Sequence, residues 1–246
     1  MSTVEPRAAI VTGSSRGIGK AIALRLAADG FGVVVNFAGN QQSADEVVAA
    51  ITTAGGRAIA VRADVSQASD VTRLFDETET AFGRIDALVN NAGVMSMTPI
   101  AETDDATFDR VFAINVRGTF FTLREAAKRL RDGGRIVNFS TSSTLLQLPG
   151  YATYCASKAA VEVYTTILAK ELRGRSITVN AVAPGPVGTE LFFEGKTEEQ
   201  IARLANLNPF GRLEEPEDIA RVVAFLLSAE AGWVNGQVIR ANGGMV

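Results

Sequence analysis

The sequence predicts an α/β fold: a doubly wound, seven-stranded parallel sheet covered by helices on both faces and built as a single domain over residues 1–246. Three observations lead there. Short apolar, β-branched runs alternate with longer amphipathic stretches. The first of these runs are apolar at nearly every position rather than at every second one, the pattern of strands buried on both faces. Glycines recur where a helical stretch gives way to the next strand, as helix C-terminal glycines do.

Ala8–Thr12 reads as the first strand. Directly after it, Thr12-Gly13-Ser14-Ser15-Arg16-Gly17-Ile18-Gly19 opens an amphipathic helix that runs to about Asp29 and ends at Gly30. Gly32–Phe37 is the second strand, and Ala58–Arg62, after Gly55-Gly56, the third. Asp86–Asn90 follows Gly83, Arg135–Ser140 follows Gly133-Gly134, then come Ser176–Ala183 and a last short strand at Val238–Arg240. Helical patterns fill the gaps. The least regular stretch, Pro184 to Phe210, reads as a surface loop or a lid, with Leu191-Phe192-Phe193 inside it. No internal repeat, low-complexity segment or linker interrupts the chain.

Composition narrows the chemistry. With 24 Lys+Arg against 27 Asp+Glu the net charge is -3, so no basic field for nucleic acid or an anionic membrane is evident. There is no histidine and a single cysteine, Cys155, which excludes a Ser-His-Asp triad, a Cys-His dyad, an intrachain disulfide and a His/Cys zinc site. Tyr, Lys, Ser/Thr, Asn or carboxylates must do the work. No apolar run approaches the ~20 residues of a membrane span, and the first six residues lack the basic and apolar segments of a signal peptide. The expectation is a soluble, cytoplasmic protein whose partners are small molecules and copies of itself.

Tyr154 and Lys158 stand four residues apart in a helical stretch, which stacks a phenol beside an ammonium on one face. A nearby cation favours the phenolate, which would bring a group that normally titrates near ~10 toward proton exchange at neutral pH. By itself such a pair is common on solvated helix faces. The glycine turn gives it weight, because glycines between a first strand and a helix permit a tight turn and close backbone approach, and the helix N-terminus offers N–H groups to a pyrophosphate. The spacing is G-x-x-x-G-x-G rather than G-x-G-x-x-G.

On these residues the chain resembles the short-chain dehydrogenase/reductase family, in the small single-domain form that includes 3-oxoacyl-carrier-protein reductases. The resemblance runs in order through Thr12–Gly19, Asp64-Val65, Asn90-Asn91-Ala92-Gly93, Asn115, the cluster Ser140–Ser143, Tyr154 with Lys158, and Pro184-Gly-Pro-Val-Gly-Thr189. It implies a Rossmann-type sheet and hydride transfer between a nicotinamide dinucleotide and a carbonyl or secondary alcohol, with a 3-oxoacyl or other apolar ketone as substrate. Gly13, Ser15, Arg16, Gly17, Ile18 and Gly19 would hold the pyrophosphate end. Asp64 and Val65 would contact the adenine, and Asn91, Ala92 and Gly93 the adenosine side. Pro184, Gly185, Val187 and Thr189 would meet the nicotinamide. Tyr154 would supply the proton, Lys158 would lower its pKa and bond the ribose, and Asn115 would support a water relay. The hydroxyl that holds the substrate oxygen would be Ser142, with Thr141 and Ser140 as alternatives. The family's tetramers imply a homotetramer here.

Cofactor choice follows from charge. An acidic side chain at the end of the second strand would bond ribose hydroxyls and repel a 2′-phosphate. That position is about Phe37, and Arg16 stands in the glycine turn with a planar fork suited to phosphate. NADP(H) is favoured, with NAD(H) as the alternative. A second reading, a dinucleotide-binding sensor without turnover, would need none of Asn115, the Ser/Thr cluster, Tyr154 or Lys158.

Overall fold

The computed structural model describes residues 7–246, apart from the side chain of Leu191. The first six residues, read above as lacking a targeting signal, lie outside the described ones. Seven parallel strands pair in the order β3-β2-β1-β4-β5-β6-β7. They are β1 Ala8–Val11, β2 Gly32–Phe37, β3 Arg57–Arg62, β4 Ala87–Asn90, β5 Arg135–Phe139, β6 Thr178–Pro184 and β7 Val238–Ala241. β4 begins one residue later than its sequence expectation and β6 two. Ser176 stands at φ 54, a left-handed conformation that cannot continue an extended strand, so pairing starts past it.

Ten helices connect the strands among the described residues: α1 Gly17–Ala28, α2 Gln41–Thr53, α3 Ala68–Phe82, α4 Asp105–Phe112, α5 Thr119–Arg129, α6 Ser143–Leu146, α7 Ala152–Glu171, α8 Glu190–Phe193, α9 Glu198–Ala205 and α10 Pro216–Leu227. The mostly apolar strands divide their side chains between two cores. Ala9, Val11, Val33 and Val35 pack with Ile22 and Leu26 of α1, Val47 of α2 and Val223 of α10. Ile10, Val34, Leu88 and Ile136 pack on the other face with Leu74 and Phe75 of α3, Leu123 of α5 and Leu168 of α7. Successive strand residues point to opposite faces, so a strand buried on both is apolar except where a buried partner satisfies a polar side chain, as at Asn36, Asn90 and Asn138.

Because β1 pairs with both β2 and β4, the strand order reverses at its edge. The crevice at such a switch point, beyond the carboxyl ends of the strands, is where open α/β sheets bind ligands. Two features stiffen it. Between α4 and α5 the helix widens into a π-helical stretch, Ala113–Gly118, that carries Asn115 fully into the interior. Below the crevice a buried polar chain ties strands to helices: Thr122 Oγ1 donates to Asn90 Oδ1 (2.7 Å), Asn90 Nδ2 to Asn138 Oδ1 (2.8 Å), and Asn138 Nδ2 to Thr165 Oγ1 (2.9 Å). Asn138 therefore joins β4 to α7 through β5. In Asn138→Ala the Asn90 amide and the Thr165 hydroxyl each lose a partner in a dry interior. We expect a loss of about 3 kcal/mol and a Tm lowered by ~10 °C in a thermal melt.

Candidate active site

At the switch point lies a cleft of about 790 Å³. Its floor is the glycine turn. Gly13 has φ 62, and a Cβ there would stand 2.9 Å from Ala92 Cα; a Cβ on Gly19 would stand 2.5 Å from the Gly13 carbonyl oxygen. Only glycine lets the turn close this tightly. Neighbouring strand ends lock it. Asn91 Nδ2 donates to the carbonyls of Thr12 (2.9 Å) and Gly13 (3.0 Å), Thr12 Oγ1 accepts from the N–H groups of Asn91 and Ala92, and Gly13 N–H donates to Asn36 Oδ1 (3.1 Å). Arg16, at the N-cap of α1, makes no side-chain cap, so the first-turn N–H groups have no intrahelical acceptor. Such an end fits a pyrophosphate.

Along this cleft run Gly13, Ser15, Arg16, Gly17, Ile18, Gly19, Phe37, Asp64, Val65, Asn91, Ala92, Gly93, Tyr154, Lys158, Pro184, Gly185, Val187 and Thr189, as the sequence reading groups them. Arg16 departs from its expected posture. Its Nη1 lies 3.3 Å from Glu190 Oε2, so it spans the cleft mouth, and both side chains are exposed. An exposed pair of this kind is worth about 0–1 kcal/mol, which a phosphate can outbid.

Tyr154 and Lys158 sit one turn apart on α7, with the Lys158 Nζ 6.0 Å from the Tyr154 ring centre. Lys158 is buried and donates to the Phe139 carbonyl at the end of β5 (2.9 Å). Burial pushes the phenol up to about 12, against a lowering from its hydrogen bond with Thr141. Burial also pushes the ammonium down to about 8. The expectation that Lys158 lowers the phenol is not met in this arrangement, because loss of water outweighs every neighbouring group. At neutral pH Tyr154 therefore keeps its proton.

Two further predicted residues lie off the cleft lining. Ser142 does not border the cleft. Its N–H donates to the Pro184 carbonyl (2.8 Å) and its Oγ to the Ala183 carbonyl (3.0 Å), and the Oγ accepts from Asn242 Nδ2 (2.9 Å). The backbone of Ser142 continues the pairing with β6, and this turns its side chain away. Thr141, which lines the cleft and bonds Tyr154, stands where the hydroxyl was sought. Asn115 also lies behind the cleft wall. Its Oδ1 accepts from Val94 N–H (2.9 Å) while its Nδ2 donates to the Val94 carbonyl (2.8 Å) and to Ser157 Oγ (3.0 Å). Its side chain is a clamp between β4's loop and α7.

The wall above is partly apolar. Leu146, Leu148, Tyr151 and Phe192 line the cleft, whereas Leu145 and Phe193 are exposed and do not; the side chain of Leu191 lies outside the described residues. The stretch read as a loop or lid holds α8 and α9. Thr189 caps α8, and a Thr197–Gln200 capping box starts α9. The box was visible in the sequence as Thr-x-x-Gln.

Two carboxylates escaped the sequence reading. Glu162 follows Lys158 by four residues on the same stripe of α7 and accepts from Ser140 Oγ (2.5 Å) and Thr144 Oγ1 (3.4 Å). Glu214 is buried beneath Gly185, whose N–H it receives at 3.1 Å. Its backbone is bonded to Pro186 and Gly188 as well, and burial pushes its carboxyl up to about 7. The spacing 154/158/162 could have flagged Glu162. Nothing local marks Glu214.

A family model described as enoyl-(acyl carrier protein) reductase matches residues 13–246. A short-chain type dehydrogenase/reductase of Picea abies is 51% identical over 250 residues, covering 98% of this chain and 92% of that protein. An NADPH-dependent aldehyde reductase-like protein, chloroplastic, of Arabidopsis thaliana is 46% identical over 254 residues, covering 98% and 94%. The solved structure of angucycline C-6 ketoreductase LanV with bound NADP is 40% identical with a TM-score of 0.92, covering 97% of this chain and 95% of that one. With the parallel sheet, the glycine turn and the Tyr154–Lys158 pair in place, the chain belongs to the short-chain dehydrogenase/reductase family.

Proposed function

We propose that residues 1–246 form one cofactor-binding and catalytic domain that reduces an apolar ketone or aldehyde with NADPH, and oxidises the corresponding alcohol in reverse. The observation that carries this is Tyr154 beside the buried Lys158 in the cleft that starts at the glycine turn, with burial favouring the protonated phenol. Names of relatives that include NADPH-dependent reduction and bound NADP support the cofactor choice. So does Phe37, which puts no carboxylate where a 2′-phosphate would stand.

When bound, the reduced nicotinamide supplies a hydride to the carbonyl carbon. The chain's own groups handle the oxygen. The uncapped first turn of α1 holds the pyrophosphate, and Arg16 exchanges Glu190 for phosphate. Thr141 orients the substrate oxygen toward Tyr154, which gives it a proton as negative charge develops. Lys158, charged below about 8, stabilises the phenolate left behind. A phenol held to about 12 is a proton donor throughout the neutral range. The apolar wall at Leu146, Leu148, Tyr151 and Phe192 suits a 3-oxoacyl chain or an aryl ketone.

The same reading includes a homotetramer in the cytoplasm. Phe120 on α5 and Val163 and Ile167 on α7 are exposed apolar side chains, and Trp233, ahead of β7, is 99% exposed. Light scattering should give the mass of four chains, and Val163→Glu should give a smaller species.

Oxidation of NADPH with apolar ketones, compared with NADH, tests the activity. We expect NADPH to be preferred and Tyr154→Phe to lose about 10²–10⁴-fold in kcat. Thr141→Ala should lower kcat by ~10-fold or more, while Ser142→Ala should lower Tm with kcat little changed; the reverse pattern restores Ser142. Reduction needs both the phenol and the ammonium protonated. Its rate should be level through neutral pH and fall above about 8 as Lys158 deprotonates, whereas alcohol oxidation, which needs the phenolate, should rise with pH.

A further inference from the structure

Glu214, only 7% exposed, lies behind the backbone of Gly185 to Val187, which lines the cleft. Gly185 N–H donates to both of its carboxyl oxygens, at 3.2 Å and 3.1 Å, and a Cβ on Gly185 would stand 2.6 Å from Oε1. Backbone bonds already fix this stretch. Gly188 N–H donates to the Glu214 carbonyl (2.8 Å), Glu214 N–H donates to the Pro186 carbonyl (3.0 Å), and Val187 and Glu214 form a single parallel bridge. Gly185 N–H also reaches the Ala241 carbonyl at 3.3 Å. Holding the loop therefore requires an acceptor at residue 214 at most, and a neutral amide oxygen would do.

The charge of the carboxyl is poorly balanced. Arg212 and Asp218 face it from the approach to α10 and its first turn, but Arg212 Nη1 is paired with Asp218 at 2.7 Å and its side chain is half exposed. The loop after β6 and the end of β7 bring Gly185 and Asn242, which carry no charge. Burial pushes the carboxyl up to about 7; the Gly185 bond and Arg212 lower it and Asp218 raises it, each by less. Buried charges are ordinarily paired, so a buried carboxylate against a ligand cleft suits a cation that the ligand brings.

On the cofactor reading above, Gly185 belongs to the loop that meets the nicotinamide. The oxidised ring carries a positive charge and the reduced ring none, while the rest of the two dinucleotides is alike. We propose that Glu214 selects between the two redox states of the dinucleotide, its carboxylate favouring the cationic, oxidised form across the Gly185 backbone. The proposal rests on that reading. Near neutral pH the carboxyl is part protonated, so binding of NADP⁺ sends a proton from Glu214 to solvent, and binding of NADPH leaves it in place. A unit charge within about 10 Å, at an effective permittivity of about 20, changes an affinity by roughly tenfold. Selection is absent in acid, where the carboxyl is neutral, and complete above about pH 8.

Dissociation constants for NADPH, from its fluorescence, and for NADP⁺, from displacement of NADPH, test this in wild type and Glu214→Gln. In wild type the ratio of the NADPH constant to the NADP⁺ constant should rise about tenfold from about pH 5.5 to about pH 8. The 2′-phosphate and pyrophosphate are common to both ligands and cancel in the ratio. Lys158, which loses its proton near about 8, acts alike in both proteins, so their difference isolates Glu214. Glu214→Gln should lack the rise centred near neutral pH. Calorimetry of wild type at pH 7, in two buffers of unlike ionisation heat, should show about 0.4 proton more released with NADP⁺ than with NADPH, a result that needs no variant. A Glu214 that only buttresses the loop gives another pattern: Glu214→Gln weakens both dinucleotides equally and the ratio keeps its wild-type course. That pattern, or equal proton release with the two dinucleotides, overturns the selection. Binding of neither dinucleotide overturns the cofactor reading and the selection with it, whereas selective binding without turnover of any carbonyl refutes the reductase alone.

Discussion

Everything at the site depends on how α7 docks against the end of β5. Three side chains spaced four residues apart on that helix reach the strand's last residues: Lys158 to the Phe139 carbonyl, Glu162 to Ser140, and Tyr154 to Thr141. One turn further along, Thr165 meets Asn138. A helix held by four polar bonds at successive turns can neither slide nor rotate without leaving buried groups unpaired. The placement of the phenol is therefore set by the sheet, a rigid element, although the groups around it come from loops.

The same docking sets the protonation states. Packing α7 against β5 removes water from both the phenol and the ammonium, and desolvation disfavours the charged form of each. The phenol rises to about 12 and the ammonium falls to about 8, so their order reverses and the two pKa values move apart. A proton donor that is neutral at rest and an adjacent cation that is charged at rest is the pairing needed to protonate a developing alkoxide. The ammonium's contribution belongs to the state in which the phenol has given its proton away.

How legible this was in the sequence depends on the range of the forces involved. The strands, the parallel sheet and the glycine turn were readable because they follow from local pattern: nearly all-apolar runs for β1, β2 and β4, and glycines where Gly13 and Gly19 leave no room for a Cβ. The stretch from Pro184 to Phe210 was read as irregular although Thr197 and Gln200 spelled a helix start, because α8 and α9 are short and interrupted. The Ser/Thr cluster was ambiguous for a deeper reason. Whether Thr141 or Ser142 faces Tyr154 depends on how far pairing with β6 continues past Phe139, and that partner lies some forty residues along the chain. Glu214 was silent because its only marker, a close Gly185, appears in space and not in sequence.

The two sides of the cleft are held with different strength, and this difference organises the site. On the side proposed to meet the nicotinamide, the loop after β6 is fastened to residue 214 by backbone bonds from Gly188 and to Pro186, and by the buried Glu214 carboxyl on Gly185. A Cβ on Gly185 would stand 2.6 Å from that carboxylate, so the two residues fit only as a pair. At the mouth, α8 carries the exposed Arg16–Glu190 bridge and a cap from Thr189. A buried hydrogen bond is worth about 0.5–1.5 kcal/mol, and more while the Glu214 carboxyl, pushed up to about 7, is ionised, whereas an exposed ion pair is worth about 0–1 kcal/mol. With several such bonds against one exposed ion pair, the loop proposed to meet the nicotinamide is tied more firmly than the element at the mouth. A ligand can displace Glu190 from Arg16 at little cost, and in doing so it leaves the geometry around Tyr154 untouched.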